Sequence, residues 1–244
     1  MISNTNSTIS VIIPTLNEED GIGMVLSSMP VEEFDEILVV DGSSDMTAEI
    51  ARKYGARVIK EPRRGYGRAL QTAIDEASGD MVVYIDGDFT YDPTEILSLI
   101  EPIREGRYDV VLGNRLTGAN DDCMNFLNRI GNKTLSRIFS WVFGVKVNDT
   151  QTGLRIVPRL ALVNQEYRSY GMAYVTEQLT KLIKAGYRVG EVPISYRFRI
   201  GRSKLHLFRD GLSILATILV EEAHNELGNI LWHSSTNKRT RESS

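Results

Sequence analysis

Cysteine and histidine are scarce in this chain, too few for the sites that depend on them. The 244 residues include one cysteine, Cys123, and three histidines. A single cysteine excludes an internal disulfide, and no cluster of cysteines and histidines has the spacing of a structural zinc site. The sequence therefore predicts a protein of a reducing compartment that folds without covalent cross-links.

The chain also lacks a basic excess and a long apolar run. Its 28 basic and 32 acidic side chains give a formal charge of −4, which argues against a dedicated nucleic-acid binder. The most apolar late run, residues 211–220, is about half as long as the roughly 20 residues of a membrane-spanning helix. The N-terminal residues have no basic leader or apolar segment of signal-peptide length. We therefore expect no nucleic-acid partner, no secretion signal and no spanning helix.

Short β-branched runs alternate with helix-like stretches through the first half of the chain. The pattern predicts strands at residues 10–13, 36–40, 58–59, 81–85 and 110–112. Nearly continuous apolar strands that alternate with amphipathic helices are typical of a mostly parallel sheet with helices on both faces. The predicted fold class is therefore α/β.

The second half of the chain is less regular, and no linker or internal repeat separates it from the first. We predict one domain over residues 1–204 and a C-terminal amphipathic helical extension over residues 205–236. Residues 237–244 lack apolar anchors, so we expect a disordered tail. The elements predicted in this half are helices at 125–143, 176–185 and about 205–232, a strand at 154–157 and an extended segment at 189–198.

Polar residues follow four of the predicted strands. In open α/β sheets, ligands bind outside the carboxyl ends of the strands, so these residues are expected to converge on one site. The four polar segments are residues 14–18, 41–45, 86–88 and 113–115.

One of these segments has the composition of a metal site. Asp86 and Asp88 flank Gly87 directly after a predicted strand. Mg²⁺ and Mn²⁺ commonly bind one or two carboxylates together with substrate phosphates, so either ion suits this pair. Aspartate and glycine are also ordinary turn residues, which leaves a plain turn as the alternative.

Several segments resemble the family 2 glycosyltransferases, in matching order and spacing across roughly the first 115 residues. They are VIIPTLNEE, ILVVDGSSDMT, EPRRGYGRALQTAI and VVYIDGDFTYDP. The resemblance implies a nucleotide-sugar-binding glycosyltransferase fold on a Rossmann-like sheet, and a catalytic domain over residues 1–204.

Residues 108–205 resemble, more narrowly, the polyprenyl-phosphate branch, which includes dolichol-phosphate mannose and glucose synthases. The matching segments are YDVVLGNRL, NRIGNKTLSRIF, VNDTQTGLRIVP, VTEQLTKLIKAGYRVGEVPISY and RFRIGRSKL. This resemblance implies a metal-dependent, inverting hexosyltransferase that uses a nucleotide sugar. Its acceptor would be dolichyl or another polyprenyl phosphate, and its product would serve glycosylation.

The resemblance also implies which residues bind the donor. Without it, Asp41 is equally consistent with a capped turn, and the loop around Gly65 with an exposed basic loop before a helix. The implied donor-binding residues are Pro14, Leu16, Glu18, Asp41, Gly65 and Asp86.

Arginines at family-matching positions are the expected phosphate ligands, because a guanidinium offers bidentate donors with a permanent charge. Arg115 and Arg129 are implied to bind the acceptor phosphate and, with Asp88, to carry catalysis. A further basic segment resembles the family's mobile loop that closes over both phosphates. The alternatives are surface arginines and a solvated loop. The cations of that segment are Arg199, Arg202 and Lys204.

Three further positions bear on the substrates. Thr90 stands where mannose synthases typically have glutamine, which slightly favours a UDP-linked hexose over GDP-mannose and leaves a third metal ligand open. Glu177 lies where many relatives of the resembled family carry a catalytic acidic residue, which could act as a general base. A hydroxyl acceptor would need such a base, whereas a phosphate monoester, with a second pKa of about 6, would not. For Arg155, phosphate binding and structural pairing are both open.

The predicted C-terminal helix has a broad apolar face between Leu205 and Leu219, which allows two interpretations. A helix that covers the core is one, and an interfacial helix that admits the lipid is the other. With no spanning helix expected, membrane contact would be peripheral, on the cytoplasmic face. Two other functions remain as alternatives: transfer to a hydroxyl of a glycan or small molecule, and a non-catalytic nucleotide-sugar-binding subunit.

Overall fold

The fold is built on one seven-stranded sheet. The computed structural model describes residues 7–117, 123–163, 165–201 and 208–224. The strands lie close to the predicted runs, with bounds that differ by a few residues. They are β1 Ile9–Thr15, β2 Glu36–Asp41, β3 Arg57–Lys60, β4 Met81–Tyr84, β5 Val110–Asn114, β6 Arg155–Pro158 and β7 Val189–Pro193.

Helices and two short 3₁₀ turns, Val31–Glu33 and Pro93–Glu95, connect the strands. The last helix, which we name α8, is described over residues 208–224. The others are α1 Ile22–Ser27, α2 Thr47–Lys53, α3 Tyr66–Glu76, α4 Ile96–Arg104, α5 Phe126–Phe143, α6 Leu160–Val163 and α7 Tyr174–Lys184.

The strand order is β3-β2-β1-β4-β6-β5-β7. Neighbouring strands are parallel except where β6 pairs antiparallel with both β4 and β5. The predicted α/β class and mostly parallel sheet are confirmed. The strand predicted at 154–157 exists, but its antiparallel insertion between β4 and β5 depends on long-range pairing, which a local pattern does not encode.

Alternate residues of each strand enter two separate cores, because successive side chains point to opposite faces of a sheet. On one face, Ile12 and Val82 pack with Leu70 of α3, Phe139 of α5 and Leu179 of α7. The neighbouring residues of the same strands pack on the other face with α1, α2 and α4. The sheet is thereby covered on both faces, and its carboxyl-end loops are left to form a site.

The helix α8 belongs in part to the core. Ile214 and Ile218 are buried against the α3, α5 and α7 face. Phe208, Leu212 and Leu219 of the same helix are 84%, 68% and 57% exposed. The core-covering interpretation is thus borne out for Ile214 and Ile218, whereas the interfacial interpretation stays a prediction.

The boundary predicted at residues 204 and 205 stays a prediction, since residues 202–207 and 225–244 lie outside the described residues, including the predicted tail 237–244. Within the described ranges, no helix is both long and apolar enough to cross a membrane.

Adjacent residues of α8 test its docking. Ile218→Ala is expected to lower the free energy of unfolding by about 2–5 kcal/mol, because it leaves a cavity under a fully buried side chain. Leu219→Ala, at an exposed position, is expected to change it by no more than about 0.5 kcal/mol. Urea unfolding of both variants makes the comparison, and equal losses would contradict the docked arrangement.

Candidate active site

A cleft of about 300 Å³ opens at the carboxyl ends of β1, β2 and β4. The convergence of polar strand ends is therefore confirmed for three of the four segments. The cleft is lined by seven of the residues singled out from the sequence: Pro14, Leu16, Glu18, Gly65, Asp86, Asp88 and Arg199.

The segment after β1 forms one wall of the cleft. Asn17 has a left-handed backbone, with φ of 52°, and its side-chain oxygen accepts a hydrogen bond from the Ser44 amide at 2.9 Å. The Asn17 amide donates in turn to the Ser43 hydroxyl at 2.7 Å. These bonds fix the turn so that Leu16 presents an apolar side chain, 37% exposed, to the cleft.

Asp41 lies behind this wall rather than in the cleft. Its Oδ1 accepts hydrogen bonds from the hydroxyls of Thr15 at 2.8 Å and Ser43 at 2.5 Å. The carboxylate thereby ties the ends of β1 and β2 together, and Gly42 beside it is the residue that reaches the cleft. A role for Asp41 in binding the base stays a prediction.

Asp86 and Asp88 both face the cleft from the turn after β4. Burial and the neighbouring charge of Asp88 raise the pKa of Asp86 to about 7. The hydroxyl of Tyr66 donates to Asp86 Oδ1 at 3.2 Å. Directly behind the carboxylate lies Gly153, where an added Cβ would come within 2.6 Å of Asp86 Oδ2.

The turn that carries Asp88 is strained and well braced. Phe89 has φ of 62°, a conformation that costs a bulky residue of order 1–3 kcal/mol and that clusters at functional sites. Asp88 Oδ1 accepts from the Thr90 amide at 3.0 Å and the Thr90 hydroxyl at 2.6 Å. Thr90 thus orients Asp88, which is its clearest role at this site.

The carboxylate oxygens of Asp86 and Asp88 suit a hard divalent cation. Among the described residues, no group of three or more histidine, cysteine, aspartate or glutamate side chains has the geometry to enclose a metal ion. Two carboxylates at an open cleft are instead the arrangement that Mg²⁺ and Mn²⁺ use when substrate phosphates complete the coordination. A cation there would also relieve the repulsion that raises the pKa of Asp86.

Arg199 joins the two acidic sides of the cleft. Its guanidinium is 2.5 Å from Glu18 Oε1 and 2.5 Å from Asp88 Oδ2. The segment that carries Arg199 runs beside the turn that carries Asp86 and Asp88. The Arg197 amide donates to the Thr90 carbonyl, and the Ile200 amide donates to the Asp88 carbonyl. A fixed positive charge therefore lies against the carboxylate that we assign to the metal.

Among the remaining basic residues predicted from the sequence, the two that the structure describes, Arg115 and Arg129, do not line the cleft. Arg115 donates from Nε and Nη2 to Asp149 at 2.7 and 2.8 Å, and its side chain is only 8% exposed. Arg129 is half-buried on α5 and does not line the cleft. Arg202 and Lys204 lie outside the described residues. The phosphate-binding roles of all four stay predictions.

The comparisons with known proteins agree with this geometry. Residues 10–145 match the glycosyl transferase family 2 profile, and a dolichyl-phosphate hexose transferase of Haloferax volcanii is 39% identical over 223 residues, covering 90% of this chain and 96% of that protein. The chain belongs to glycosyl transferase family 2. The resemblance inferred from the sequence motifs is confirmed.

Two further comparisons extend this assignment. Glycosyltransferase AglJ of Haloferax volcanii is 33% identical, covering 85% of this chain and 69% of that protein. A crystal structure of glucosyl-3-phosphoglycerate synthase from Mycobacterium tuberculosis, in complex with Mn²⁺, UDP-glucose and phosphoglyceric acid, has a TM-score of 0.74 at 25% identity. That match covers 91% of this chain and 81% of the crystallised chain, so the two share a fold over most of this chain.

In this family 2 glycosyltransferase, Glu177 supports a loop. Its carboxylate is 1% exposed and accepts hydrogen bonds from the amides of Arg168 and Ser169, with the Lys181 ammonium at 2.9 Å. These contacts outweigh burial and hold the pKa of Glu177 below its usual value. The supported loop continues into Gly171, which lines the cleft.

Arg155, like Glu177, binds backbone groups of neighbouring segments. Its fully buried guanidinium donates to three backbone carbonyls, those of Thr150, Thr152 and Val175, at 3.2 Å each. Burial lowers its pKa. Of the two roles left open by the sequence, these contacts favour structural pairing.

Sequence reasoning missed four contributors to the site. Gly153 makes room for Asp86, Tyr66 bonds to it, and Glu61 and Asp210 line the cleft. The glycine of the QTGLR segment and the tyrosine between Gly65 and Gly67 were visible signals. Asp210 had no comparable signal, because only tertiary packing brings α8 to the cleft.

Removal of the Arg199 charge tests its competition with a metal. Arg199→Met is expected to raise the affinity of the donor-free protein for Mn²⁺ by about tenfold, or about 1.4 kcal/mol, because a competing cation leaves Asp88. Electron paramagnetic resonance of free Mn²⁺ measures this affinity. Arg197→Met, which removes a partner of Asp92 instead, is the matched control. Unchanged or weaker Mn²⁺ binding by Arg199→Met would contradict the assignment.

Gly153→Ala tests the space behind Asp86. The new methyl group would force the carboxylate out of place, so we expect a loss of about 1–3 kcal/mol in stability and at least tenfold weaker Mn²⁺ binding. Gly211→Ala adds the same group where no atom lies within 4 Å and serves as the control. Urea unfolding and Mn²⁺ titration measure the two effects. Normal Mn²⁺ affinity in Gly153→Ala would show that Asp86 does not need this position.

Proposed function

We propose that this protein transfers a hexose, with inversion at the anomeric carbon, from a nucleotide sugar to dolichyl or another polyprenyl phosphate. Membership of the family and the 39% identical relative named a dolichyl-phosphate hexose transferase support the reaction class. The observation that carries the choice of acceptor is the environment of Glu177. Glu177 lies at the position where many relatives carry a catalytic acidic residue. Its carboxylate accepts hydrogen bonds from two backbone amides and pairs with a lysine.

This environment matters because acceptors differ in their need for a base. A sugar hydroxyl must lose a proton as it attacks, which requires a general base within hydrogen-bond reach. A phosphate monoester is already largely a dianion near neutral pH, so orientation and charge shielding suffice. Glu177 is buried and does not line the cleft, which favours a phosphate acceptor.

The nucleotide sugar would lie along the wall formed by the segment after β1, with its diphosphate at the turn that carries Asp86 and Asp88. Leu16 and Pro14 offer apolar surface to the base, and Gly65 lets backbone approach the phosphates. A UDP-linked hexose is the donor we favour over GDP-mannose, since Thr90 departs from the mannose synthase pattern and a fold relative was crystallised with UDP-glucose.

Asp86 and Asp88 would hold Mg²⁺ or Mn²⁺. When bound, the ion supplies positive charge that stabilises the departing nucleotide diphosphate. Arg199 contacts Glu18 and Asp88, the side of the cleft where the donor phosphates would lie, so its guanidinium would also donate to those phosphates. Arg202 and Lys204, nearby in sequence, would add charge over the same phosphates.

Arg115 and Arg129 would orient the acceptor phosphate. Asp149 binds Nε and Nη2 of Arg115 and thereby fixes the plane of the guanidinium. The guanidinium also lies 5.4 Å from the ring centroid of Tyr196, which further restricts its position. A guanidinium that is held in one orientation lowers the entropy cost of orienting the attacking phosphate oxygen.

A peripheral position on the cytoplasmic face of a membrane would bring this cleft to its lipid acceptor. The support is apolar side chains that face outward on two helices, in particular Phe126 and Trp141 of α5, 72% and 85% exposed, and Phe208 of α8. Aromatic side chains are favoured at membrane–water interfaces. The lipid-linked sugar would then be available for glycosylation, including protein glycosylation.

The direct test is transfer of radiolabelled sugar from a panel of nucleotide sugars into polyprenyl phosphate, followed by extraction into an organic phase. We expect a mild-acid-labile glycolipid that forms only with Mg²⁺ or Mn²⁺ present. Product on a hydroxyl acceptor such as a glycan, formed at normal rate without lipid phosphate, would overturn the acceptor assignment. Donor and metal binding without any product would indicate a non-catalytic subunit.

Two variants separate metal binding from base catalysis. Asp88→Asn is expected to reduce kcat by at least about a hundredfold, because several kcal/mol of charge stabilisation depends on the metal. Glu177→Gln is expected to lower the melting temperature, since an amide nitrogen would face backbone donors, but to keep kcat of the folded protein within about tenfold. A general base would instead contribute about 10²–10⁴-fold, so a loss of that size in folded Glu177→Gln would contradict the proposal.

A further inference from the structure

A second cavity, of about 370 Å³, lies between α5 and the turn that follows it. We name it the α5 basic pocket. It is separate from the cleft, with which it shares no lining residue. Its polar lining consists mainly of Lys133, Ser136, Arg137 and Ser140 of α5, and Lys146 and Asn148 of the turn.

Three positively charged side chains line the pocket. Lys133, Arg137 and Lys146 line it, and no carboxylate does so in the described part of the chain. Of two acids close to the lining residue Asn148, Asp149 binds Arg115, and Glu191 accepts from the Asn148 amide and side chain. Three cations that line one cavity, with no carboxylate among its described lining residues, point to an anionic ligand.

The walls of the pocket are held together before any ligand binds. The Ser140 hydroxyl donates to the Val147 carbonyl at 2.8 Å and accepts from the Val147 amide at 3.2 Å. The Ser136 hydroxyl accepts from the Thr150 amide at 3.0 Å. Gly144, with φ of 64°, ends the helix and starts the turn. A preformed cavity binds its ligand with less ordering cost than a flexible loop does.

The surroundings of the pocket identify the class of anion. Arg137 lies one helical turn from Trp141, and Ile130 lies two turns before Arg137 on the same stripe of α5. Trp141 is 85% and Ile130 47% exposed. A basic pocket beside exposed tryptophan and isoleucine matches a lipid whose phosphate headgroup enters the pocket while its apolar part meets the stripe.

We propose that the α5 basic pocket binds the phosphate group of an anionic ligand, with an anionic lipid headgroup as its source at a membrane surface. The shared chemistry is a phosphate that accepts hydrogen bonds from Lys133, Arg137 and Lys146. The lipid source rests on the peripheral membrane contact proposed above, whereas the anion site itself does not.

The test compares two triple variants of the full chain in vesicle sedimentation. Lys133→Gln/Arg137→Gln/Lys146→Gln removes the pocket charges. Arg52→Gln/Lys53→Gln/Arg104→Gln makes the same charge change on exposed residues of α2 and α4, which cover the opposite face of the sheet. Vesicles of phosphatidylcholine, with and without phosphatidylglycerol, are the probe.

The pocket variant is expected to lose affinity for phosphatidylglycerol vesicles by about fivefold for each charge removed, which corresponds to about 1 kcal/mol each. The opposite-face variant is expected to bind as the unchanged protein does. UDP binding in the presence of Mn²⁺ should be normal in both variants, which shows that the fold and the cleft are intact. Equal losses in the two variants, or no loss in the pocket variant, would overturn the proposal.

Two further arms keep the outcome decisive. If the pocket variant fails to bind UDP, Lys133→Arg/Arg137→Lys/Lys146→Arg replaces it, and this charge-preserving variant must keep vesicle binding. In a Trp232→Phe background, Trp141 is the remaining tryptophan of the two in the chain. A blue shift of its fluorescence with phosphatidylglycerol vesicles supports the lipid source. Pocket-dependent binding of inorganic phosphate without vesicle binding supports the anion site but assigns it to a soluble phosphate.

Discussion

Two carboxylates held side by side at the end of β4 are the constraint on which the rest of this site depends. Burial and, after it, the repulsion between Asp86 and Asp88 raise the pKa of Asp86. Such a pair persists only when its surroundings fix both side chains. Tyr66 and Thr90 do so through hydrogen bonds, and Gly153 does so by lacking a side chain. The arrangement is costly in an empty protein and useful once a cation is present.

Arginine balances this charge in the structure. Arg199 bridges Glu18 and Asp88 across the cleft. The backbone of residues 197–200 is hydrogen-bonded to the turn that carries Asp88. Arg115 is fixed in a comparable way by Asp149, at the end of β5. In both cases a carboxylate orients a guanidinium before substrate binds. Under the proposed function, transfer between two phosphates would depend on this preorganised charge more than on proton transfer.

Much of the fold and part of the site could be predicted from the sequence. Buried strands are apolar runs bounded by turn residues, so β1, β2 and β4 were evident, and with them the polar ends that carry Asp86 and Asp88. The antiparallel insertion of β6 was not, because it depends on pairing between residues far apart in sequence.

The roles of single side chains were harder to predict than the strands. Glu177 and Arg155 stand at positions that also suit catalysis or phosphate binding, and only their backbone partners show structural roles. The α5 basic pocket shows the same limit. Lys133 and Arg137 are an ordinary helical pair in sequence, and Lys146 joins them only because Gly144 turns the chain back.

The most direct test of the central claim is the linkage between metal and nucleotide in the unchanged protein. Two carboxylates leave coordination positions for phosphate oxygens, so UDP should strengthen Mn²⁺ binding by at least about tenfold, and Mn²⁺ should strengthen UDP binding by the same factor. Mn²⁺ paramagnetic resonance and calorimetry of UDP measure the two sides of this cycle. Independent binding of metal and nucleotide would contradict a cation shared between Asp86, Asp88 and the diphosphate.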